Sequence, residues 1–176
     1  VSHRVEIYQV KSPEKDKLNT LRLLLCELGE QSSIVFLNYR ESVERVASYL
    51  KEQGFTISFF HGGLEQRQRE DALYKFSNGS ANVLVATDLA SRGIDIPDID
   101  NIIHYHLPES EHGYVHRVGR TARWESKGRA FFILNAEETV PSYVEGELKD
   151  YTVNPTTLSA PIPKMVTLYI GKGKKD

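Results

Sequence analysis

Cysteine is almost absent from the sequence, which contains one, Cys26, in the apolar run LRLLLCEL. One cysteine excludes an internal disulfide and a metal site built from cysteines. Its apolar neighbours are typical of a small core residue in a reducing compartment, so we expect a cytoplasmic location. Long hydrophobic runs are also lacking: LLLC, IVFL and FFIL are far below the roughly 20 residues that span a membrane, so we expect no membrane partner.

An excess of positive charge is lacking too, because 22 lysines and arginines stand against 24 acidic residues, for a net charge of −2. Binding to nucleic acid therefore has to come from local clusters of cations. The sequence contains no GxxxxGK[ST] phosphate loop and no DExD or DExH run. A complete site for a nucleoside triphosphate and its metal ion needs a phosphate loop and an acidic strand end, so this chain holds at most half of such a site.

Apolar runs that predict strands alternate with segments that predict helices. The predicted strands are VEIYQV, SIVFL, TISFF, NVLVA, NIIHY and GRAFFIL. Leucines recur at helical spacing before Gly29, and a second such pattern ends at Gly54. The alternation predicts an α/β fold, a mostly parallel sheet with helices on both faces. In such folds ligands bind at the loops beyond the carboxyl ends of the strands.

The composition of the chain changes after Asp150. We therefore predict one domain at residues 1–150 and a proline-rich linker at 151–164. Residues 165–176, MVTLYIGKGKKD, begin with a strand-like alternation and predict the start of a further domain in a longer protein. A frayed basic tail or a last edge strand is the alternative.

Four consecutive predicted strands end in polar loops that carry glycine or arginine. NYRES follows the first, HGGLEQRQRE the second and TDLASRGID the third, and the segment that carries HRVGRTAR follows the fourth. Glycines allow a tight turn, and a helix that follows HGG presents backbone N–H groups that suit a phosphate. Each loop alone also has an ordinary explanation: Thr87 and Asp88, for example, are common capping residues. Because such loops converge at one edge of a parallel sheet, together they predict one extended phosphate-binding surface.

The segment HRVGRTAR, residues 116–123, places Arg117, Arg120 and Arg123 three residues apart. On a helix these side chains share one face, where like charges repel unless an anion binds. Arginine suits phosphate because its planar guanidinium donates paired hydrogen bonds and stays charged. The alternative is a solvated basic patch that pairs with nearby acids. These acids are Glu109, Glu111 and Glu125.

HGG with QRQR, then VATDLASRGID, then HRVGRTAR, in this order and spacing, resemble the second RecA-like domain of the DEAD-box ATP-dependent RNA helicases, over residues 5–148. SIVFLNYRES resembles motif IV, Gln66 and Arg69 match the QxxR motif, and the last two segments match motifs V and VI. The resemblance implies a RecA-like three-layer sandwich. Tyr39, His106 and Ala122 depart from the threonine, acidic residue and glycine that are usual in the family.

The resemblance also implies a role for each matching residue. Asp95 would bind the ATP ribose, and Arg120 and Arg123 would be catalytic arginine fingers on the γ-phosphate. The interface with the first RecA-like domain would include Gln66, His116 and Arg117. The missing domain would hold Mg²⁺, so we expect no metal site here. The residues implied along the RNA backbone are Asn38, Gly62, Arg69, Thr87, Arg92 and Gly93.

The implied activity is ATP-driven local unwinding of RNA by a monomer, with this chain inactive when it is alone. KMVTLYIGKGKKD resembles the first strand of the RNA-binding domain in bacterial DEAD-box protein A and its relatives, which implies ribosomal RNA as a partner and a role in ribosome assembly. Two alternatives stay open. One is a stand-alone RNA-binding or annealing module without catalysis. The other is a doubly wound domain for a small nucleotide, although no GxGxxG occurs.

Overall fold

The computed structural model describes residues 4–92, 96, 98–122 and 127–155. Within these residues, seven strands form one sheet in which every neighbouring pair is parallel, in the order β3-β4-β2-β5-β6-β1-β7. The strands are β1 (Val5–Lys11), β2 (Ser33–Phe36), β3 (Ile57–Phe60), β4 (Val83–Ala86), β5 (Asn101–His104), β6 (Gly128–Leu134) and β7 (Leu148–Asp150). The helices are α1 (Leu18–Leu28), α2 (Arg40–Glu52), α3 (Gln66–Ser77) and α4 (Glu111–Val118), with a 3₁₀ helix at Asp88–Ser91. The α/β prediction is confirmed.

Successive residues of a strand point to opposite faces of the sheet, and in this sheet the residues on both faces are apolar. Helices therefore cover both faces. In β2, Val35 packs in a core cluster with the leucines of α1 and the valines of α2. Its neighbours Ile34 and Phe36 pack in the opposite cluster, with residues of α3 and α4. The result is the three-layer sandwich that the sequence predicted. Among the described residues, each helix is too short or too polar to span a bilayer.

The two predicted helix stops are confirmed by the backbone. Gly29 has φ of +64° directly after α1, and Gly54 has φ of +92° just beyond α2. Both values fall in the region where a side chain is strained, so glycine suits these turns. Lys17, just before α1, takes φ of +61° although it is not glycine. Its buried ammonium donates to the backbone oxygens of Tyr105 and Ile133 and to Glu138, which holds this conformation in place.

The strands whose ends carry the predicted motifs lie side by side. β3, β4, β2 and β5 are adjacent and parallel, so their carboxyl ends meet at one edge of the sheet. The convergence that the sequence predicted is therefore confirmed for these four strands. The site described below lies at this edge.

One strand of the sheet was not predicted. β7 pairs with β1 at the sheet edge, although LKD has no apolar run that would mark it. Beyond it, in the predicted linker, the Tyr151 ring packs edge-on against Tyr8 and Phe131, at centroid distances of 5.8 and 5.4 Å. The domain boundary at residue 150 stays a prediction. Residues 156–176, which include most of the predicted linker and the strand-like tail, lie outside the described residues.

Candidate nucleotide- and nucleic-acid-binding site

Arg117 of α4 lies at the centre of the edge where the strands end, and it is completely buried. Its Nε donates to Asp88 in the 3₁₀ helix after β4. One Nη donates to Asn38 Oδ1 after β2 at 2.8 Å, and the other donates to the His106 carbonyl after β5 at 2.9 Å. The guanidinium thus joins the ends of three neighbouring strands through charge-assisted hydrogen bonds.

Two histidines complete the surroundings of Arg117. His104 Nδ1 lies 3.2 Å from an Arg117 Nη and has to accept, because guanidinium groups only donate. Burial first, and then Arg117, lower the pKa of His104 well below its ordinary value, so the ring is neutral. His106 Nδ1 accepts from the backbone N–H of Asn38 at 2.9 Å. Burial and the nearby Lys17 and Arg117 lower the pKa of His106 to about 4.

The 3₁₀ helix at Asp88–Ser91 connects buried Arg117 with Arg120 at the surface. Asp88 at its start binds Arg117, while the carbonyl of Ser91 at its end accepts from Arg120 Nε and Nη2, at 3.2 and 2.8 Å. Ser91 Oγ donates to the Asp88 carbonyl, which closes the short helix on itself. The direction of the Arg120 side chain therefore depends on an element that Arg117 fixes.

A cavity of about 200 Å³ lies between α3 and the 3₁₀ helix. Gln66, Arg69 and Glu70 of α3 and Arg92 beyond the 3₁₀ helix line it together with apolar side chains. Arg69 Nε is buried and has no hydrogen-bond partner among the described residues. An unpaired buried donor of a charged group is costly, and the cavity has two arginines against the one carboxylate of Glu70, so an anion is favoured beside Arg69.

A second, larger cavity of about 470 Å³ lies on the other side of Arg92. Ser91, Arg92, His116 and Arg120 line it. Because Arg92 borders both cavities, the structure brings Gln66 and Arg69 of the QxxR motif close to the surface that His116 and Arg120 line. Gln66 itself is exposed, and its amide donates to Glu70 on the same helix at 3.0 Å.

The remaining predicted residues lie at the same edge with other neighbours. Gly62 is exposed in the turn after β3, where an added Cβ would come within 3.2 Å of an Arg40 Nη. Half-buried Thr87 begins the 3₁₀ helix and donates its backbone N–H to the Phe60 carbonyl. Gly93, Asp95 and Arg123 lie outside the described residues, so their predicted roles stay predictions.

Three expectations need correction. Arg117, expected at a domain interface, is buried within this domain, where it forms hydrogen bonds to its own chain. Arg117 and Arg120 do not share a helical face, because α4 ends at Val118. Arg120 lies in the turn after the helix, just before Thr121, which forms an isolated β-bridge with Ile99. The N-terminus of α3 is already occupied by a capping box of Glu65 and Gln68, whose carboxylate disfavours a phosphate there.

Sequence reasoning missed the connecting roles of Asp88 and Ser91. The sequence indicates a capping residue at Asp88, whereas the structure makes it the acidic partner of Arg117. A carboxylate 29 positions from a buried arginine carries no local signal of pairing. Ser91 acts through its backbone carbonyl, which every residue has, so its identity predicts nothing about the contact with Arg120.

Comparison with known proteins gives matches over most of the domain. The family model described as "Helicase conserved C-terminal domain" matches residues 16–125. Among curated proteins, DEAD-box ATP-dependent RNA helicase 21 of Oryza sativa subsp. japonica is 43% identical over 130 residues, 74% of this chain and 18% of that protein. ATP-dependent RNA helicase DBP10 of Lodderomyces elongisporus is 46% identical over 110 residues, 62% of this chain and 12% of that protein. The chain thus spans less than a fifth of the length of these relatives.

A solved structure covers the domain more completely. The E. coli DEAD-box protein SrmB, in its complex with regulator of ribonuclease activity A, superposes with a TM-score of 0.76 at 33% identity. The match covers 88% of this chain and 96% of that chain. It confirms that the parallel sheet and its helices are those of a DEAD-box protein domain.

We predict that Arg117→Ala lowers the free energy of unfolding by about 3 kcal/mol or more, because it leaves Asp88 and Asn38 without their partner in the interior. Urea denaturation of the 176-residue chain measures the change. Arg67→Ala, which removes an exposed arginine from α3, is the control and should change the value by less than about 0.5 kcal/mol. A loss in Arg117→Ala no larger than in the control would show that the buried network contributes little.

Proposed function

The chain belongs to the helicase conserved C-terminal domain family, as the C-terminal helicase domain of a DEAD-box RNA helicase, and from this premise we propose how its residues serve RNA unwinding. In the proposal, the cavity at Arg69 and Arg92 holds the sugar–phosphate backbone of single-stranded RNA. The cavity at Arg120 faces the triphosphate of ATP, which a first helicase domain binds from the other side.

The unpaired Arg69 Nε carries the RNA part of the proposal. It is a buried charged donor without an acceptor among the described residues, and it lines a cavity with a second arginine, Arg92. A phosphate would supply the missing acceptor and neutralise both cations. Contacts of this kind touch the backbone and no base edge, so the domain would bind RNA with little preference for sequence.

Arg120 carries the ATP part. Its guanidinium lies at the border of the larger cavity and is oriented by the Ser91 carbonyl. An arginine finger stabilises charge on a transferring phosphoryl group and speeds phosphoryl transfer by about 10³–10⁵-fold. The cavity offers cations and imidazoles, and no group of three metal-ligating side chains occurs among the described residues. This donor set suits a triphosphate and leaves Mg²⁺ to the first domain, where the ion would neutralise phosphate charge.

Unwinding would follow from closure of the two domains. ATP and RNA both bind the closed form better than the open form, so together they shift the population towards closure. Backbone contacts from this domain would hold a single strand in a shape that a regular duplex cannot adopt. Phosphate release would then reopen the pair. His116, which borders the larger cavity, is placed in this proposal at the surface that meets the first domain.

Finer parts of the proposal rest on the sequence. A role in ribosome assembly, with ribosomal RNA as substrate, is inferred only from the resemblance of KMVTLYIGKGKKD to the first strand of the RNA-binding domain in bacterial DEAD-box protein A and its relatives, and this segment lies outside the described residues. A monomeric state and a cytoplasmic location likewise remain proposals.

The 176-residue chain alone is expected to hydrolyse ATP negligibly, with or without RNA, because its sequence lacks the phosphate loop and the acidic motif. Release of inorganic phosphate from the purified chain measures this. The same chain joined to a DEAD-box N-terminal domain is the positive control. RNA-stimulated turnover by the isolated chain would contradict the division of the active site between two domains.

In the whole helicase, Arg120→Ala is expected to lower ATP turnover by about 10³–10⁵-fold while ATP binding stays nearly unchanged, because the finger acts on charge that develops during transfer. Turnover and equilibrium binding of a fluorescent ATP analogue are measured side by side. Arg129→Ala is the matched control, since it removes an arginine at the start of β6, on the opposite edge of the sheet. An equal loss in binding and turnover would mean that Arg120 holds the ground state instead.

Arg69→Ala is expected to weaken RNA affinity alike for all sequences. It should also reduce the slope of log affinity against log salt by about 0.7, the contribution of one phosphate contact on a single strand. Binding of labelled single strands at several salt concentrations tests this. Arg67→Ala is the control, because it removes an arginine from the same helix that does not line this cavity. A change confined to base preference would rule out a backbone contact.

A further inference from the structure

Two histidines of α4 lie one helical turn apart on its outer surface. His112 is exposed, His116 is half-buried, and both line the larger cavity beside Arg120. Their Nε2 atoms face each other at 3.1 Å, and their ring centroids lie 4.3 Å apart. We propose that this pair is a chelating site for a divalent transition ion of the Zn²⁺ class.

The distance between the two nitrogens fits a shared metal ion. Two metal–nitrogen bonds of about 2.05 Å across the 3.1 Å separation subtend an angle of about 98°. This angle lies between about 90° for square-planar or octahedral coordination and about 109° for tetrahedral coordination. Histidines at positions i and i+4 of a helix are a recurrent pair of zinc ligands for the same geometric reason.

The ion chemistry follows from the donors. Neutral imidazole nitrogen suits Zn²⁺, Cu²⁺ and Ni²⁺, whereas Mg²⁺ and Ca²⁺ require oxygen ligands. No third histidine, cysteine or carboxylate joins the pair within the described residues, so water would fill the remaining positions. Arg92 and Arg120 line the same cavity and repel a cation, which makes the site weaker than a structural zinc site.

The competing explanation of the geometry is a direct hydrogen bond between the two rings, in which one Nε2 donates to the other. A hydrogen bond needs one proton between the nitrogens, whereas chelation needs both lone pairs free. Direct measurement of metal binding therefore separates the two explanations.

A bound ion would also affect the helicase, and this consequence rests on the proposed function. His116 is placed in that proposal at the surface that meets the first domain. An ion held by His112 and His116 would occupy this surface and oppose closure, so Zn²⁺ would inhibit RNA-stimulated ATP turnover through His112.

The first experiment titrates Zn²⁺ into the 176-residue chain in competition with a chromophoric chelator. Wild type is expected to bind one ion per chain at this site, and His112→Asn to bind at least about tenfold more weakly, since even the loss of an outer-shell partner of a metal ligand costs about 10–100-fold. Glu111→Gln is the matched control, because it changes the adjacent residue and removes no imidazole. Equal affinity in wild type and His112→Asn, or an equal loss in both variants, would overturn the site.

The second experiment measures RNA-stimulated ATP turnover of the whole helicase against Zn²⁺ for wild type and His112→Asn. ATP binds Zn²⁺ equally in both assays, so the difference between the proteins reports the histidine pair. Stronger inhibition of wild type supports the link to domain closure. Equal inhibition, with the first experiment as expected, would remove that link while the metal site and the proposed function both stand.

Discussion

The edge of the sheet that carries the proposed site depends on one buried cation, the guanidinium of Arg117. Removing such a group from water is expensive, and it is tolerated where every donor finds an acceptor. Asp88, Asn38 and the His106 carbonyl supply acceptors from three separate strand ends, and the Phe36 ring lies 5.1 Å from the guanidinium carbon. Because arginine keeps its proton, the neighbouring His104 has to stay neutral and accept.

The 3₁₀ helix at Asp88–Ser91 links buried Arg117 to side chains at the surface. The 3₁₀ helix is held at its first residue, Asp88, by Arg117, and at its last residue, Ser91, it orients Arg120. Arg92, the next residue, borders both the cavity proposed for RNA and the cavity proposed for ATP. A shift of this short helix would therefore move groups of both proposed sites together. In the proposed function, that shared element would be a physical basis for coupling between ATP and RNA.

Much of the fold follows from local patterns of the sequence. Leucine spacing, the glycines at 29 and 54 and the short apolar strands predict the helices, their ends and six of the seven described strands, because burial and backbone strain act residue by residue. The sequence does not predict β7, because LKD joins the sheet by backbone hydrogen bonds to the edge of β1 and needs no apolar side chain to do so. Glu65 and Gln68 have the spacing of the capping box before α3. The glycines just ahead of them favour a phosphate site at the same helix end, which is why the sequence alone predicts the wrong occupant.

For the candidate site, the sequence by itself determined which residue types stand at the strand ends, and hence that cations and glycines gather at one edge. It could not determine which arginine is buried and which is presented. Arg117 and Arg120 are chemically identical and three positions apart, and they differ because α4 ends between them and Asp88 meets the first. Burial of a charge is decided by partners distant in sequence, and tertiary structure alone brings these partners within hydrogen-bond distance.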